Sequence, residues 1–126
     1  MKAKLTYTGI RVQDLDASIR FYTRVLGMTL RGRSEIPAAK GVVADLASED
    51  GGHLLELNYY EPGSPFHSAY SVGDGLDHLA FRVEDLDRAI AEAAREGFPV
   101  VQEMSSASSR WVYLRDPSGI WIELFA

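Results

Sequence analysis

The sequence predicts an α+β fold built from two β-α-β-β-β modules, and an internal repeat is the main observation behind this prediction. Residues 7–19 align with residues 78–90, and residues 52–57 align with residues 119–124. A repeat of this kind sets the architecture of a chain. The identical pairs in the longer match are Arg11/Arg82, Val12/Val83, Asp14/Asp85, Leu15/Leu86, Asp16/Asp87 and Ile19/Ile90.

The segment between the repeats is the second observation. Residues from about 61 to 76 are rich in Gly, Pro and Ser and follow neither the helical nor the strand period, which is typical of a linker. We therefore expect a single domain over residues 1–126, with module one at about 1–60 and module two at about 77–126.

Each module begins with a strand and a helix. Residues 7–12 and 78–83 alternate between apolar and polar side chains, which favours strands with one apolar face. Asp14 and Asp85 then precede apolar residues at helical spacing, and Asp is a common N-cap. The predicted apolar stripes are Leu15, Ile19, Tyr22 and Leu26, ending at Gly27, and Leu86, Ile90, Ala93 and Ala94, ending at Gly97.

Three further strands complete each module. The turns Asp50-Gly51-Gly52 and Asp116-Pro117-Ser118-Gly119 contain residues that favour tight turns, and they separate the last two strands. The predicted strands are about 28–34, 41–47 and 53–59 in module one, and about 99–104, 110–115 and 120–125 in module two.

Composition excludes several classes of function. The net charge of −5 is spread along 126 residues without a basic stripe, which disfavours a nucleic acid or an anionic membrane as partner. There is no cysteine, hence no disulfide framework and no thiolate metal site. The N-terminus lacks the apolar stretch of a signal peptide, and no run reaches the roughly 20 apolar residues that span a bilayer. We expect a soluble cytoplasmic protein.

The repeat also pairs candidate functional residues. If two such modules face each other around a pseudo-twofold axis, Tyr7 meets His78 and Glu56 meets Glu123. Strand parity puts Glu123 between two aromatic side chains, where a carboxylate must be paired, protonated or bound to a metal. One imidazole and two carboxylates suit a divalent ion such as Zn, Ni, Co, Fe or Mn.

These features resemble the vicinal oxygen chelate superfamily, which includes glyoxalase I, methylmalonyl-CoA epimerase, extradiol dioxygenases, and fosfomycin and bleomycin resistance proteins. The resemblance implies paired βαβββ modules around a metal-binding cup. It also implies a homodimer, in which each cup is often built from two subunits. The segments that carry it are residues 10–22, 25–27, 55–57, 77–81 and 115–124.

Carried over by position, the metal ligands of glyoxalase and epimerase fall at Glu56, His78, Glu123 and Tyr7. Tyr7 departs from the pattern, since those enzymes usually have His there and a neutral phenol is a poor ligand. Three alternatives follow for Tyr7: it binds the metal weakly, it donates a hydrogen bond, or it does not bind and leaves the metal with three protein ligands. Dioxygenases need two His and one carboxylate, and fosfomycin enzymes usually lack the carboxylate at Glu56, so both rank lower.

We interpret the protein as a metal-dependent lyase or isomerase of glyoxalase or epimerase type. The substrate is a small molecule with vicinal oxygens, and the reaction passes through an enediolate. Glu123 is the expected base, Glu56 the alternative base or second ligand, and His78 the nitrogen ligand. The alternative is a metal-free small-molecule binding protein of the bleomycin-resistance, antibiotic-binding class. A third interpretation is a degenerate or regulatory member of the family.

Structural roles compete with each of these assignments. A strand-start histidine can be a hydrogen-bonded core residue, and edge glutamates can be solvated charges. His53 and His67 are expected to be exposed and are not candidates. Three arginines, Arg11, Arg82 and Arg110, either meet an anionic substrate or form salt bridges. Six aromatic residues either line a pocket or, as we expect for most of them, belong to the core or a dimer interface: Tyr59, Tyr60, Trp111, Tyr113, Trp121 and Phe125.

Overall fold

The computed structural model describes residues 2, 6–74, 76 and 78–126. The chain divides into two compact units, the first ending at Tyr70 and the second beginning at Ser71. Each unit contains a four-stranded mixed sheet and one α-helix. Within the described residues, no helix has the length and apolar character needed to cross a membrane.

Unit one has strand order β1-β4-β3-β2. The first strand runs parallel to the fourth, and the other pairs are antiparallel. Its elements are β1 (Tyr7–Arg11), α1 (Leu15–Arg20), a π-helix (Phe21–Val25), β2 (Thr29–Ile36), a 3₁₀-helix (Pro37–Ala39), β3 (Gly41–Ala47) and β4 (Leu54–Tyr60).

Unit two repeats this arrangement with the order β5-β8-β7-β6. Here β5 is parallel to β8, while β6, β7 and β8 are antiparallel to their neighbours. Its elements are β5 (Leu79–Arg82), α2 (Leu86–Arg95), β6 (Gln102–Ser105), β7 (Arg110–Arg115) and β8 (Trp121–Phe125). The predicted α+β fold with βαβββ modules is confirmed.

Both helices begin at the predicted aspartates. The side chain of Asp14 accepts a hydrogen bond from the backbone N–H of Ala17 at 2.9 Å, and Asp85 accepts from that of Arg88 at 3.0 Å. Each bond satisfies a donor that has no partner within the helix. Gly97, just beyond α2, has φ +92°, a conformation that ends helices and favours glycine.

The first helix differs from the predicted pattern in its second half. After Arg20 the chain continues as a π-helix, whose closing bond runs from the N–H of Leu26 to the carbonyl of Phe21 at 3.4 Å. This wider turn rotates the following residues relative to an α-helix. Phe21 and Tyr22 are both buried, whereas Ile19 and Leu26 are only half-buried. Ile19 and Leu26 therefore lie only partly in the core, and in the second helix the predicted stripe is wrong at Ala94, which is exposed.

Alternate residues of each sheet form the core, and the other side chains lie on a more open face. In β8, Ile122 and Leu124 are buried while Trp121, Glu123 and Phe125 are half-buried. In β4, the same alternation buries residues 55 and 57. Helix α1 packs against β3 and β4 of unit one. The open faces hold the residues considered below.

The first part of the predicted linker is folded against unit one. The N–H of Glu61 donates to the carbonyl of Lys40 at 2.9 Å, and the hydroxyl of Ser64 donates to the carbonyl of Ala39 at 2.5 Å. Ser64 is buried. Residues 61–70 thus extend unit one, and Gly75 of the predicted linker lies outside the described residues.

Candidate functional site

The open face of unit two brings together two of the predicted site residues. His78 directly precedes β5, and its Nε2 lies 3.2 Å from Oε2 of Glu123 on the adjacent, parallel β8. The two side chains are 34% and 19% exposed, so the pair is partly desolvated but open to a small ligand. An imidazole nitrogen and a carboxylate oxygen therefore lie next to each other on the same face of the sheet.

Tyr113 contacts the same carboxylate from the other side. It lies directly opposite Glu123 in the pairing of β7 with β8, and its hydroxyl donates to Oε2 of Glu123 at 2.9 Å. Its ring packs edge-to-face on His78 and on Trp121, both with centroids 5.8 Å apart. Both Tyr113 and His78 therefore contact Oε2, and the described residues provide no hydrogen bond to Oε1.

The sequence groups Tyr113 with the aromatic residues of pocket, core or interface but does not predict its contact with Glu123. Side chains alternate along β7, and Tyr113 lies on the opposite face from the buried Val112 and Leu114. The alternation in the sequence is therefore sufficient to predict the face on which Tyr113 lies. Its place opposite Glu123 depends on the register between two strands, which the alternation does not specify.

The donor atoms of this pair fit a divalent metal ion. Two ligand atoms each about 2.1 Å from a common ion lie about 3.0 to 3.4 Å apart for angles between octahedral and tetrahedral. The 3.2 Å between His78 Nε2 and Glu123 Oε2 falls in this range. No group of three or more His, Cys, Asp or Glu side chains suited to a metal occurs within residues 6–74, 76 and 78–126. The pair thus supplies two donors and needs further ligands.

The corresponding face of unit one carries Glu56 and Tyr7. Glu56 is half-buried on β4, between Gly9 of β1 and Asp45 of β3 in the register of the sheet. Among the described residues, neither carboxylate forms an ion pair. A Cβ at Gly9 would lie 3.2 Å from Nδ2 of Asn58 and 3.9 Å from Oε1 of Glu56, so the glycine lets the Asn58 side chain approach closely. Tyr7, at the start of β1, is 51% exposed.

Unit one also contains a cavity of about 230 Å³ beside the end of β4. Arg11 lines this cavity together with Ser68 and Tyr60. Its guanidinium donates a hydrogen bond to the hydroxyl of Ser68 and lies 5.4 Å from the centroid of the Tyr60 ring. His67 lies at the same cavity, with Nδ1 3.3 Å from the carbonyl oxygen of Tyr60. A cation among aromatic rings suits an anionic ligand with an apolar body. The lining residues are Arg11, Val12, Gln13, Tyr59, Tyr60, Pro62, His67, Ser68, Ala69 and Tyr70.

Other polar candidates have structural partners. Arg110 forms ion pairs with Glu103 at 2.5 Å and Asp87 at 2.6 Å, and these hydrogen bonds raise the pKa of its guanidinium above the ordinary value. His53 shares a 2.8 Å hydrogen bond with the hydroxyl of Thr8. Arg110 is thus engaged in salt bridges, the structural alternative to an anion site.

A family model fits nearly the whole chain. The model of the Glyoxalase/Bleomycin resistance protein/Dioxygenase superfamily matches residues 4–124. The chain belongs to this superfamily. The resemblance carried by the motifs is thereby confirmed.

Individual members of the superfamily lie close in sequence. A lactoylglutathione lyase of Haemophilus influenzae is 37% identical over 125 residues, covering 95% of this chain and 90% of that protein. The structure of the trypanothione-dependent glyoxalase I of Leishmania major matches with a TM-score of 0.74 and 29% identity, over 98% of this chain and 86% of the other.

An antibiotic-binding protein from Streptomyces shares the fold. It matches with a TM-score of 0.74 at 21% identity, covering 98% of this chain and 95% of that protein. The fold thus occurs in a binding protein as well as in glyoxalases, and function must be argued from the site.

Proposed function

We propose that the protein is a metal-dependent lyase of glyoxalase I type. Its substrate would be the hemithioacetal that an α-ketoaldehyde forms with a thiol of the glutathione kind, and its product the thioester of a hydroxy acid. The lactoylglutathione lyase at 37% identity supports this substrate class. The observation that carries the proposal is the contact between His78 and Glu123, because it joins a metal-ligand pair with a carboxylate able to move a proton.

The proposed ligand set is His78, Glu123 and Glu56, with Tyr7 as a candidate fourth ligand. Zn, Ni, Co, Fe and Mn are all compatible with one imidazole and two carboxylates. When bound, such an ion supplies Lewis-acid polarisation of two neighbouring substrate oxygens. His78 would act as the neutral nitrogen ligand. The carboxylates would offset the charge of the ion.

Glu123 is the proposed base. The reaction breaks one C–H bond, passes through an enediolate, and forms a C–H bond at the neighbouring carbon, so it needs no oxidant or reductant. A carboxylate can accept the proton and return it. In Glu123, Oε2 contacts both Tyr113 and His78, so Oε1 is the oxygen we assign to proton transfer. Glu56 is the alternative base.

Arg11 is the proposed contact for a carboxylate of the thiol. A charge-assisted hydrogen bond to an anion is strong, and the aromatic rings beside Arg11 would cover an apolar portion of the ligand. The bond that Arg11 now donates to the Ser68 hydroxyl links two exposed side chains, so a carboxylate could replace the hydroxyl as acceptor.

The binding-protein alternative has less support. That alternative expects an aromatic or cationic ligand, but the Arg11 guanidinium in the cavity of unit one disfavours a cation there. The alternative also assigns no role to the pair of His78 and Glu123. The epimerase variant of the reaction, the homodimer and the cytoplasmic location stay predictions from the sequence.

The test is formation of the thioester from an α-ketoaldehyde and glutathione, followed by its ultraviolet absorbance. We expect turnover by the untreated protein, loss after chelation, and recovery when one of the five ions is restored. The His78→Ala variant should stay inactive with added metal, while His53→Ala should remain active. Turnover that survives both chelation and His78→Ala would refute the proposal. A protein inactive with every ion would favour the binding-protein alternative.

A further inference from the structure

The proposed function distinguishes the two oxygens of Glu123, and the hydroxyl of Tyr113 contacts one of them. We propose that Tyr113 is a positioning residue that selects the orientation of the Glu123 carboxylate. Its hydroxyl holds Oε2, which leaves Oε1 for the proton. This inference rests on the proposed function.

The carboxylate needs such a partner because its terminal torsion is soft. The last torsion of a glutamate has a broad, roughly two-fold distribution, so the two oxygens exchange places at little cost unless a contact distinguishes them. Two contacts engage Oε2, the 2.9 Å hydrogen bond from Tyr113 and the 3.2 Å contact with Nε2 of His78. Because that nitrogen is a metal ligand in the proposed site, the hydrogen bond that distinguishes the two oxygens there is the one from Tyr113. Oε1 receives no hydrogen bond from the described residues.

The position of the Tyr113 hydroxyl is fixed by the packing of the Tyr113 ring. The ring of Tyr113 packs edge-to-face on His78 on one side and on Trp121 on the other. Trp121 is covered in turn by the guanidinium of Arg115, 3.8 Å from its ring centroid, and Arg115 donates to the carbonyl of Gly119 at 2.9 Å. Aromatic packing restricts the ring, so the phenol oxygen is presented to Glu123 with little remaining freedom.

Within residues 6–70, unit one has no equivalent of this arrangement. The residue directly opposite Glu56 on the neighbouring antiparallel strand is Asp45, which cannot donate a hydrogen bond when ionised. The tyrosine is therefore specific to one of two matched glutamates. This asymmetry supports a role at Glu123 rather than a general role in the sheet.

The experiment compares Tyr113→Phe with the wild type, using Co²⁺ as the probe of the metal-stripped protein. Removing only the hydroxyl keeps the ring packing, so thermal stability without metal should change little. Loss of an outer hydrogen-bond partner typically weakens metal affinity or activity 10–100-fold, and we expect about 10-fold weaker Co²⁺ binding. The visible Co²⁺ spectrum should shift, and kcat should fall more than KM rises. Tyr22→Phe, at a fully buried tyrosine of unit one, is the control and should leave the Co²⁺ spectrum unchanged.

Two negative outcomes are distinguishable. If the wild type binds Co²⁺ and Tyr113→Phe has the same affinity, spectrum and kcat, the inference is wrong and the proposed function stands. If the wild type takes up no Co²⁺, the proposed function fails and the inference fails with it. A spectral shift in Tyr22→Phe equal to that in Tyr113→Phe would mean a general structural effect and would also overturn the inference.

Discussion

The two units share one topology but treat their matched glutamates differently. Glu123 faces Tyr113 across the strand pair, and Glu56 faces Asp45. One carboxylate receives a hydrogen bond, and the other stands beside a like charge. Directly opposed like charges destabilise a sheet, whereas a hydrogen bond to a carboxylate stabilises its position. Two copies of a repeat can thus place a glutamate at the same position, while the residues beside each glutamate differ and give it a different role.

The largest expected difference between the two glutamates is in turnover. An amide oxygen can still bind a metal but cannot accept the proton, so Glu123→Gln should lower kcat by about 10³-fold, within the usual range for a general base. Glu56→Gln should cost far less if Glu56 is only a ligand. Steady-state kinetics of both variants, with circular dichroism as the check on folding, measures this. A larger loss in Glu56→Gln would exchange the two roles.

The next effect compares Arg11 of unit one with Arg110 of unit two. Hydrogen bonds to charged groups contribute about 1.5–3 kcal/mol, which corresponds to roughly 10–100-fold in binding. Arg11→Met should raise KM for a glutathione-derived substrate at least about 10-fold, with kcat little changed. Arg110→Gln, which breaks the pairs with Asp87 and Glu103, should leave KM unchanged. An equal rise in both variants would argue against a specific contact at Arg11.

The helix caps give a smaller effect, on stability. Replacing an N-cap aspartate by alanine typically costs about 1 kcal/mol. We expect Asp14→Ala and Asp85→Ala each to lower the free energy of unfolding by about this amount, as measured by urea denaturation, without changing metal affinity. Loss of metal binding in either variant would show that the site depends on helix placement more than we infer.

The smallest effect tests the like-charge pair itself. Asp45→Asn removes the charge opposite Glu56, and we expect a gain of about 0.2–1 kcal/mol in the stability of the metal-free protein. Urea denaturation of the wild type and variant, at neutral pH and low salt, measures it. The gain should shrink when salt is added, because screening weakens interactions between partly exposed charges. A loss of stability would mean that Asp45 has a favourable role.

Local signals predicted most of the fold. The aspartate caps, the terminating glycines and the alternation in β4 and β8 depend on neighbours in sequence, and each was found at its expected place. The π-helix after Arg20 was not predicted, because widening of the helix depends on how Phe21 and Tyr22 pack in the core.

The candidate site was less predictable for a similar reason. The repeat positions pair Tyr7 with His78 and Glu56 with Glu123, whereas the contact between His78 and Glu123 is made within unit two. The repeat also placed neither Tyr113 nor Asp45 beside a glutamate. Those contacts depend on strand register, and the contact of Arg11 with Ser68 depends on the path of residues 61–70. Such non-local contacts leave no periodic signal in the sequence.

The metal content of the purified protein tests the central claim most directly. Elemental analysis, on protein prepared without chelator or affinity tag, should find about one divalent transition-metal ion per chain in the wild type and in His53→Ala. His78→Ala should contain almost none, because it removes the only nitrogen ligand of the proposed set. Equal metal content in His78→Ala and the wild type, or a wild type that takes up no metal on titration, would contradict the assignment of His78 and Glu123 as a metal centre.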